Sequence, residues 1–142
     1  DGMDISLLKI SSDNNEHSTR KFHLQWSGAN NPLWIIRKNS TIIEEIKADK
    51  QPVGKFMERK NFTSHSLFLE KGDRLYLFTD GYADQFGGPK GKKFKYRQLE
   101  EVLLSTIHLT LTDQKQALET AFDSWKANHE QVDDVCIIGI SV

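Results

Sequence analysis

Three carboxylates in this sequence stand where a chain could hold a cation. Arg74-Leu75-Tyr76-Leu77-Phe78-Thr79-Asp80-Gly81 is a run of four apolar residues closed by a threonine, a carboxylate and a glycine. Such a run reads as a strand buried on both faces. Gly81 is expected to end it, since glycine tolerates the positive φ of a sharp exit. Asp80 then sits at a strand end, where an unpaired carboxylate is costly. Asp133-Asp134 has the mirrored arrangement, leading into Val135-Cys136-Ile137-Ile138-Gly139-Ile140. If the two strands are antiparallel neighbours, Asp80 and the Asp133-Asp134 pair fall at one end of the sheet. Clustered carboxylates without a local arginine suit a hard dication such as Mg2+ or Mn2+. The ordinary reading of the same residues is an Asp-Gly turn and a solvated loop end.

The elements that position these residues follow from pattern. Ile5–Ile10 reads as a strand, Ser11–Thr19 as a polar loop, and Lys21–Trp26 as a half-buried strand with Phe22, Leu24 and Trp26 on one face. Leu33–Arg37 and Thr41–Ile46 predict a hairpin around Lys38-Asn39-Ser40. Lys47–Lys60 is irregular, broken by Pro52 and Gly54. Phe62–Leu69 alternates again, and Glu70–Asp73 turns into the organising strand. After Gly81 comes a loop rich in glycine and lysine over Gly87–Lys93. Leu99, Val102, Leu103 and Ile107 predict a helix over Tyr96–His108. Thr112 is the expected N-cap of a second helix that carries Leu118, Phe122 and Trp125 to about Asn128. Val135–Val142 is the last strand. Strands grouped before helices indicate an α+β fold in one domain.

Composition narrows the class. The chain has 142 residues with 19 Lys+Arg against 20 Asp+Glu, so its total charge gives no reason to expect nucleic acid or an anionic membrane as partner. No apolar run approaches the ~20 residues of a membrane span. Cys136 is the single cysteine. It reads as a small core residue of the last strand, and a lone cysteine fits a reducing, cytoplasmic compartment. The five histidines have no ligand-like spacing. Tyr82 is open to two readings, lining a site or packing.

Together, Gly72-Asp73-Arg74-Leu75-Tyr76-Leu77-Phe78-Thr79-Asp80-Gly81, Asp84 and Asp133-Asp134-Val135-Cys136-Ile137 resemble the SpoIIE-like branch of the metal-dependent (PPM, phosphatase 2C-type) serine/threonine protein phosphatases. Ser27-Gly28-Ala29-Asn30-Asn31-Pro32-Leu33 is similar to that branch's Ala-Gly-His-Asn-Pro turn, and Pro52-Val53-Gly54 to its Pro-Leu-Gly. The resemblance implies a β-sandwich of antiparallel sheets flanked by helices (α-β-β-α) and a binuclear Mg2+ or Mn2+ centre. By motif position, Asp80 and Asp133 match metal carboxylates, and Asp84 matches a residue that reaches an additional, weaker metal. Gly81 would let the backbone approach the metal's hydration shell.

Two departures accompany this. Asn30 stands where many relatives carry His, and it takes no catalytic role. The family's early Gly-Asp-aromatic and Gly-His-Gly segments, which carry further metal carboxylates, are not in the sequence. The expectation is therefore one SpoIIE-like domain over 1–142 that lacks its N-terminal segment, binds Mg2+ or Mn2+ weakly, and is inactive as it stands. The resemblance implies a parent that hydrolyses phosphoserine or phosphothreonine in bacterial-type signalling. Its substrate would be a phosphoprotein of the anti-sigma-antagonist-like kind, and its N-terminal modules sensors or regulators, some membrane-anchored. A non-catalytic interaction module with the same fold is the alternative. Lys90, Lys92 and Lys93 are either an ordinary solvated loop or a surface that receives the phosphoprotein.

Overall fold

The computed structural model describes residues 2–12, 21–54 and 60–142. Residues 13–19 of the polar loop and 55–59 of the irregular stretch lie outside the described residues. The chain divides into two compact units, Asp1–Leu77 with Gly139–Val142, and Phe78–Ile138.

The first unit is built of strands. They are β1 (Gly2–Met3), β2 (Ser6–Ser12), β3 (Lys21–Gly28), β4 (Leu33–Ile36), β5 (Ile43–Ile46), β6 (Val53–Gly54), β7 (His65–Glu70) and β8 (Arg74–Phe78). The second unit holds α1 (Gly81–Asp84), β9 (Phe86–Gly87), β10 (Lys92–Lys93), α2 (Tyr96–Ser105) and α3 (Leu111–Lys126). The last strand, β11 (Ile137–Ser141), crosses the boundary between units, as β8 does.

Two antiparallel sheets make the first unit a sandwich. One has the order β2-β3-β7, the other β11-β8-β4-β5. Alternation sets the register: Leu24 pairs with Leu67 and Ile10 across β3, while Leu33 pairs with Leu77 and Ile35 with Leu75 across β4 and β8. Leu24, Trp26 and Leu69 from one sheet meet Leu33, Ile35 and Leu75 from the other in a single buried cluster. Fully burying each such side chain contributes roughly 1.5–3 kcal/mol. β1 and β6 form a short separate pair, with Met3 opposite Val53.

The expected partnership of β8 with the last strand is present. They are neighbours in one sheet. Val142 N donates to Asp73 O at 3.1 Å, and Thr79 N donates to Cys136 O at 3.0 Å. The low-numbered end of one strand thus meets the high-numbered end of the other, so they run antiparallel.

Several boundaries differ from expectation. The last strand begins at Ile137, not Val135, and it lies at the sheet edge among the described residues. Ile137 and Ile140 are partly buried, Ile138 is half exposed, and Cys136, just before the strand, is exposed rather than a core residue. The hairpin strand starts at Ile43, not Thr41. The glycine- and lysine-rich loop is a hairpin, β9 with β10.

In the second unit, α2 buries Leu99 and Leu103, and α3 buries Gln114, Leu118 and Phe122 at four-residue spacing. The N-cap of α3 is Thr110, not Thr112. Its Oγ1 accepts from Asp113 N at 3.1 Å, and Asp113 adds a negative charge to the first turn. Threonine at 110 leaves Leu111 inside the first turn. Buried Gln114 donates to Leu103 O at 3.2 Å and to Thr106 Oγ1 at 3.0 Å, which ties α3 to the end of α2.

Candidate functional site

The residues predicted to do chemistry lie in the second unit, where Thr79 organises them. Its Oγ1 donates to Asp134 O at 2.8 Å and accepts from Cys136 N at 3.0 Å. Together with the bond from Thr79 N to Cys136 O, this fastens Thr79-Asp80-Gly81 beside Asp134-Val135-Cys136. A valine would fill the same volume and make neither hydroxyl bond. In the sequence Thr79 figures only as part of the run that ends in Asp80, with no role of its own. Its signal is a hydroxyl closing an apolar run just before a carboxylate.

Gly81 does not take the positive φ expected of it. It is not among the positive-φ glycines, and it opens helix α1 rather than a loop. A Cβ there would lie 2.4 Å from Asp134 O and 2.9 Å from its carbonyl carbon. The glycine is needed for close approach: without a side chain, the Asp80 segment lies against the Asp133-Asp134 backbone.

Asp80 is half-buried and occupies the N-cap position of α1 without a side-chain capping bond. Asp133 is exposed, and its Oδ1 accepts from Asp134 N at 2.8 Å. Asp84 ends α1, four residues after Asp80. Its backbone N donates to Asp80 O at 2.9 Å, and its carboxylate pairs with Lys93 Nζ at 3.0 Å. Lys90 and Lys92 are exposed. Tyr82 resolves to packing. It is buried, donates to Leu118 O at 2.7 Å, and touches the rings of Phe94 and Phe122. Burial, with Asp123 adding to it, pushes the Tyr82 phenol well above the ordinary tyrosine pKa.

These side chains offer only oxygen, which suits Mg2+ or Mn2+. Among the described residues, no three His, Cys, Asp or Glu side chains are grouped as one ion would need. The donor chemistry fits the metal, but the grouping falls short of a centre. A shallow basin of about 370 Å³ lies elsewhere, lined by Lys21, Arg37, Phe68 and Asp73. Asp73 and Arg37 there are bonded to each other and to the backbone, so the basin is a poor candidate for catalysis. Asn30, at a left-handed φ of 64°, donates to Asp4 Oδ1 at 2.6 Å, a bond between segments 26 residues apart.

A mixed α+β chain with antiparallel sheets, whose Asp-ended strand lies beside one preceded by Asp-Asp, has the fold of PP2C phosphatase domains. The SiaA-PP2C domain of Pseudomonas aeruginosa superposes with a TM-score of 0.76 at 23% identity, over 87% of this chain and 51% of that one. The PP2C phosphatase domain of SpoIIE from Bacillus subtilis, solved with a fragment of its regulatory domain, gives 0.60 at 16% identity, over 87% and 34%. The Mn-presoaked phosphatase domain of SpoIIE from Bacillus subtilis gives 0.57 at 12%, over 95% and 56%. At these identities the likeness is one of fold. The family described as Stage II sporulation protein E (SpoIIE) matches residues 14–142, and the chain belongs to that family. No curated protein matches the sequence. The chain spans about half the length of the SiaA domain and of the Mn-presoaked SpoIIE domain, and about a third of the SpoIIE chain that includes regulatory sequence.

Proposed function

We propose that the chain is the C-terminal part of a metal-dependent serine/threonine phosphoprotein phosphatase domain, to which it contributes Asp80, Asp133 and the more peripheral Asp84. The observation that carries this reading is the seam at Thr79 and Gly81. Two hydroxyl bonds and one missing side chain hold the Asp80 and Asp133-Asp134 segments side by side, an arrangement that an ordinary turn does not require. When bound, a pair of Mg2+ or Mn2+ ions supplies an activated water and polarises a phosphoryl oxygen. The chain's own part is to present hard, anionic donors on a rigid seam open to water. The substrate class would be a phosphoserine or phosphothreonine protein, and the activity would be governed by N-terminal regulatory modules. No described helix is long and apolar enough to cross a membrane.

The deciding experiment assays phosphopeptide hydrolysis with Mn2+ in the protein that carries the complete domain. Asp80→Asn and Asp133→Asn should each lower kcat by about a hundredfold or more, with the fold intact by circular dichroism. The 142-residue chain alone should bind Mn2+ weakly and show no turnover above background. Wild-type turnover by either variant would remove these residues from the site. Robust, chelator-sensitive turnover by the chain alone would show that it needs no further carboxylates.

A further inference from the structure

The lysine-rich segment after α1 is a tethered hairpin, not a loose loop. From α1 the chain passes through Gln85 into β9, turns, and returns along β10. Phe94 N donates to Gln85 O at 2.9 Å and Lys95 N to Ala83 O at 2.7 Å, so the ribbon continues past both strands. One side of it is packed. Gln85 and Phe94 are 2% and 5% exposed. Trp125 Nε1 donates to Gln85 O at 3.0 Å, and Gln85 Nε2 donates to Glu130 O at 3.0 Å. Gly88 N donates to Trp125 O at 2.8 Å. A Cβ on Gly87 would overlap the Trp125 carbonyl, and one on Gly88 would lie 2.6 Å from the Trp125 ring. Phe94 stands edge-on to that ring, with centroids 5.4 Å apart. The hairpin is therefore clamped to the last turn of α3.

Its other side is bare. Phe86 lies directly opposite Lys93 in the ladder and is 45% exposed. Directly opposite residues share a face and neighbours alternate. Phe86 and Lys93 thus point away from the side that holds Gln85, Gly87 and Phe94. Lys93 Nζ pairs with Asp84 Oδ1 at 3.0 Å and sits 5.9 Å from the Phe86 ring centroid. Lys90 at the turn, Lys92 on the ladder and Lys95 at the base are exposed. Among the described residues, no salt bridge holds any of these three. Residues 86–95 carry four lysines and no carboxylate, on a chain whose net charge is −1. Positive charge is thus concentrated around one exposed aromatic ring.

We propose that this bare face docks an acidic segment of the phosphoprotein partner. Phe86 takes an apolar side chain at its centre, and Lys90, Lys92 and Lys95 take carboxylates around it. An apolar centre with a polar rim is how protein-binding patches are built. The clamp to α3 makes the face pre-formed, so docking orders side chains but not backbone. The lysines speed encounter with an acidic partner and select against a basic one. That the partner is phosphorylated rests on the phosphatase reading; the docking face itself needs no metal.

The test titrates the 142-residue chain with a short fluorescein-labelled peptide of glutamates around a central leucine, at low ionic strength, read by fluorescence anisotropy. Lys90→Glu with Lys95→Glu should weaken binding about tenfold, and Phe86→Ser about threefold. Lys71→Glu, at an exposed lysine of the first unit, should change it by less than about twofold. Should the double charge reversal fail to fold by circular dichroism, Lys90→Gln with Lys95→Gln should still weaken binding about threefold. Amide shifts in NMR should centre on residues 86–95. The proposal is overturned if the wild type does not bind, or if Lys71→Glu weakens binding as much as the double reversal. Equal affinity for an oligothymidylate of the same charge would mark a generic polyanion patch and overturn it too. In the protein with the complete domain and Mn2+, a phosphothreonine peptide with glutamate flanks should have a higher kcat/KM than one with neutral flanks. The double charge reversal should erase that preference. Turnover without the preference overturns the docking face and leaves the phosphatase reading standing. If wild type turns over neither peptide, the phosphatase reading fails, and the docking face stands or falls on the unphosphorylated peptide.

Discussion

Strand β8 carries a carboxylate just beyond each end, and the two are treated in opposite ways. Before the strand, Asp73 is 3% exposed and its oxygens are committed to the protein. Arg37 Nη1 donates to it at 3.0 Å, Glu70 N at 2.9 Å and Lys38 N at 2.8 Å. Burial opposes the charge on Arg37, but its bonds to Glu44 and Asp73 outweigh this and hold its pKa above the ordinary value. After the strand, Asp80 and its neighbours keep their carboxylates in water or half in it. There the protein spends its hydrogen bonds on the backbone, through Thr79, and leaves room by omitting a side chain at Gly81. The difference teaches how a carboxylate built into the packing differs from one left accessible to water. The first is surrounded by donors. The segment that carries the second is fastened through the Thr79 hydroxyl and the space left at Gly81.

Substitutions can break or sharpen this contrast. The largest effect is expected at the closed end. Asp73→Ala leaves two backbone N–H groups and one guanidinium arm without their acceptor, and should lower stability in urea by about 3–5 kcal/mol. A loss under 1 kcal/mol would mean that water replaces the carboxylate and that the end is not closed. Gly81→Ala comes next. The added methyl meets a backbone carbonyl, which cannot rotate away as a side chain would. The expected loss is about 1–3 kcal/mol, with amide shifts concentrated at 133–136 in NMR.

Tyr82→Phe should cost about 1 kcal/mol, since the buried phenol loses its bond to Leu118 O. It should also change the pH dependence. The folded pKa is raised, so the phenol ionises first in the unfolded chain. Its stabilisation is fully present below about pH 10 and is lost as pH rises from there through the folded value. Urea midpoints should fall above that pH in wild type and fall less steeply in the phenylalanine variant. The smallest effect belongs to the open end. Asp133→Asn keeps an acceptor for Asp134 N and should change stability by no more than about 0.5 kcal/mol. A large loss there would show that Asp133 is structural after all.

Much of the frame was legible in the sequence because alternation and helical spacing report which face is buried. Leu24, Trp26, Leu33 and Leu75 belong to strands that pattern alone located, and Leu99, Leu103, Leu118 and Phe122 lie on helical stripes read the same way. The pairing of β8 with the last strand was legible from two apolar runs with opposed carboxylate ends. Less was legible where a residue's role depends on what another segment brings to it. Thr110 and Thr112 are both fair N-caps in isolation, and only the helix's packing places its first turn at Leu111. Cys136 reads as core until the last strand proves to begin after it and leave it exposed.

The sequence by itself determined the family, the α+β order of elements and the carboxylates at the ends of two neighbouring strands. Each of these depends on local pattern or on motifs that survive as linear text. The tertiary structure alone decided that Gly81 is needed for space rather than for φ, that Thr79 is the fastening between segments 55 residues apart, and that Asp84 faces Lys93. The physical reason is that contact distance and hydrogen-bond partnership are properties of pairs of segments. A one-dimensional pattern carries the preferences of each segment but not the gap between them.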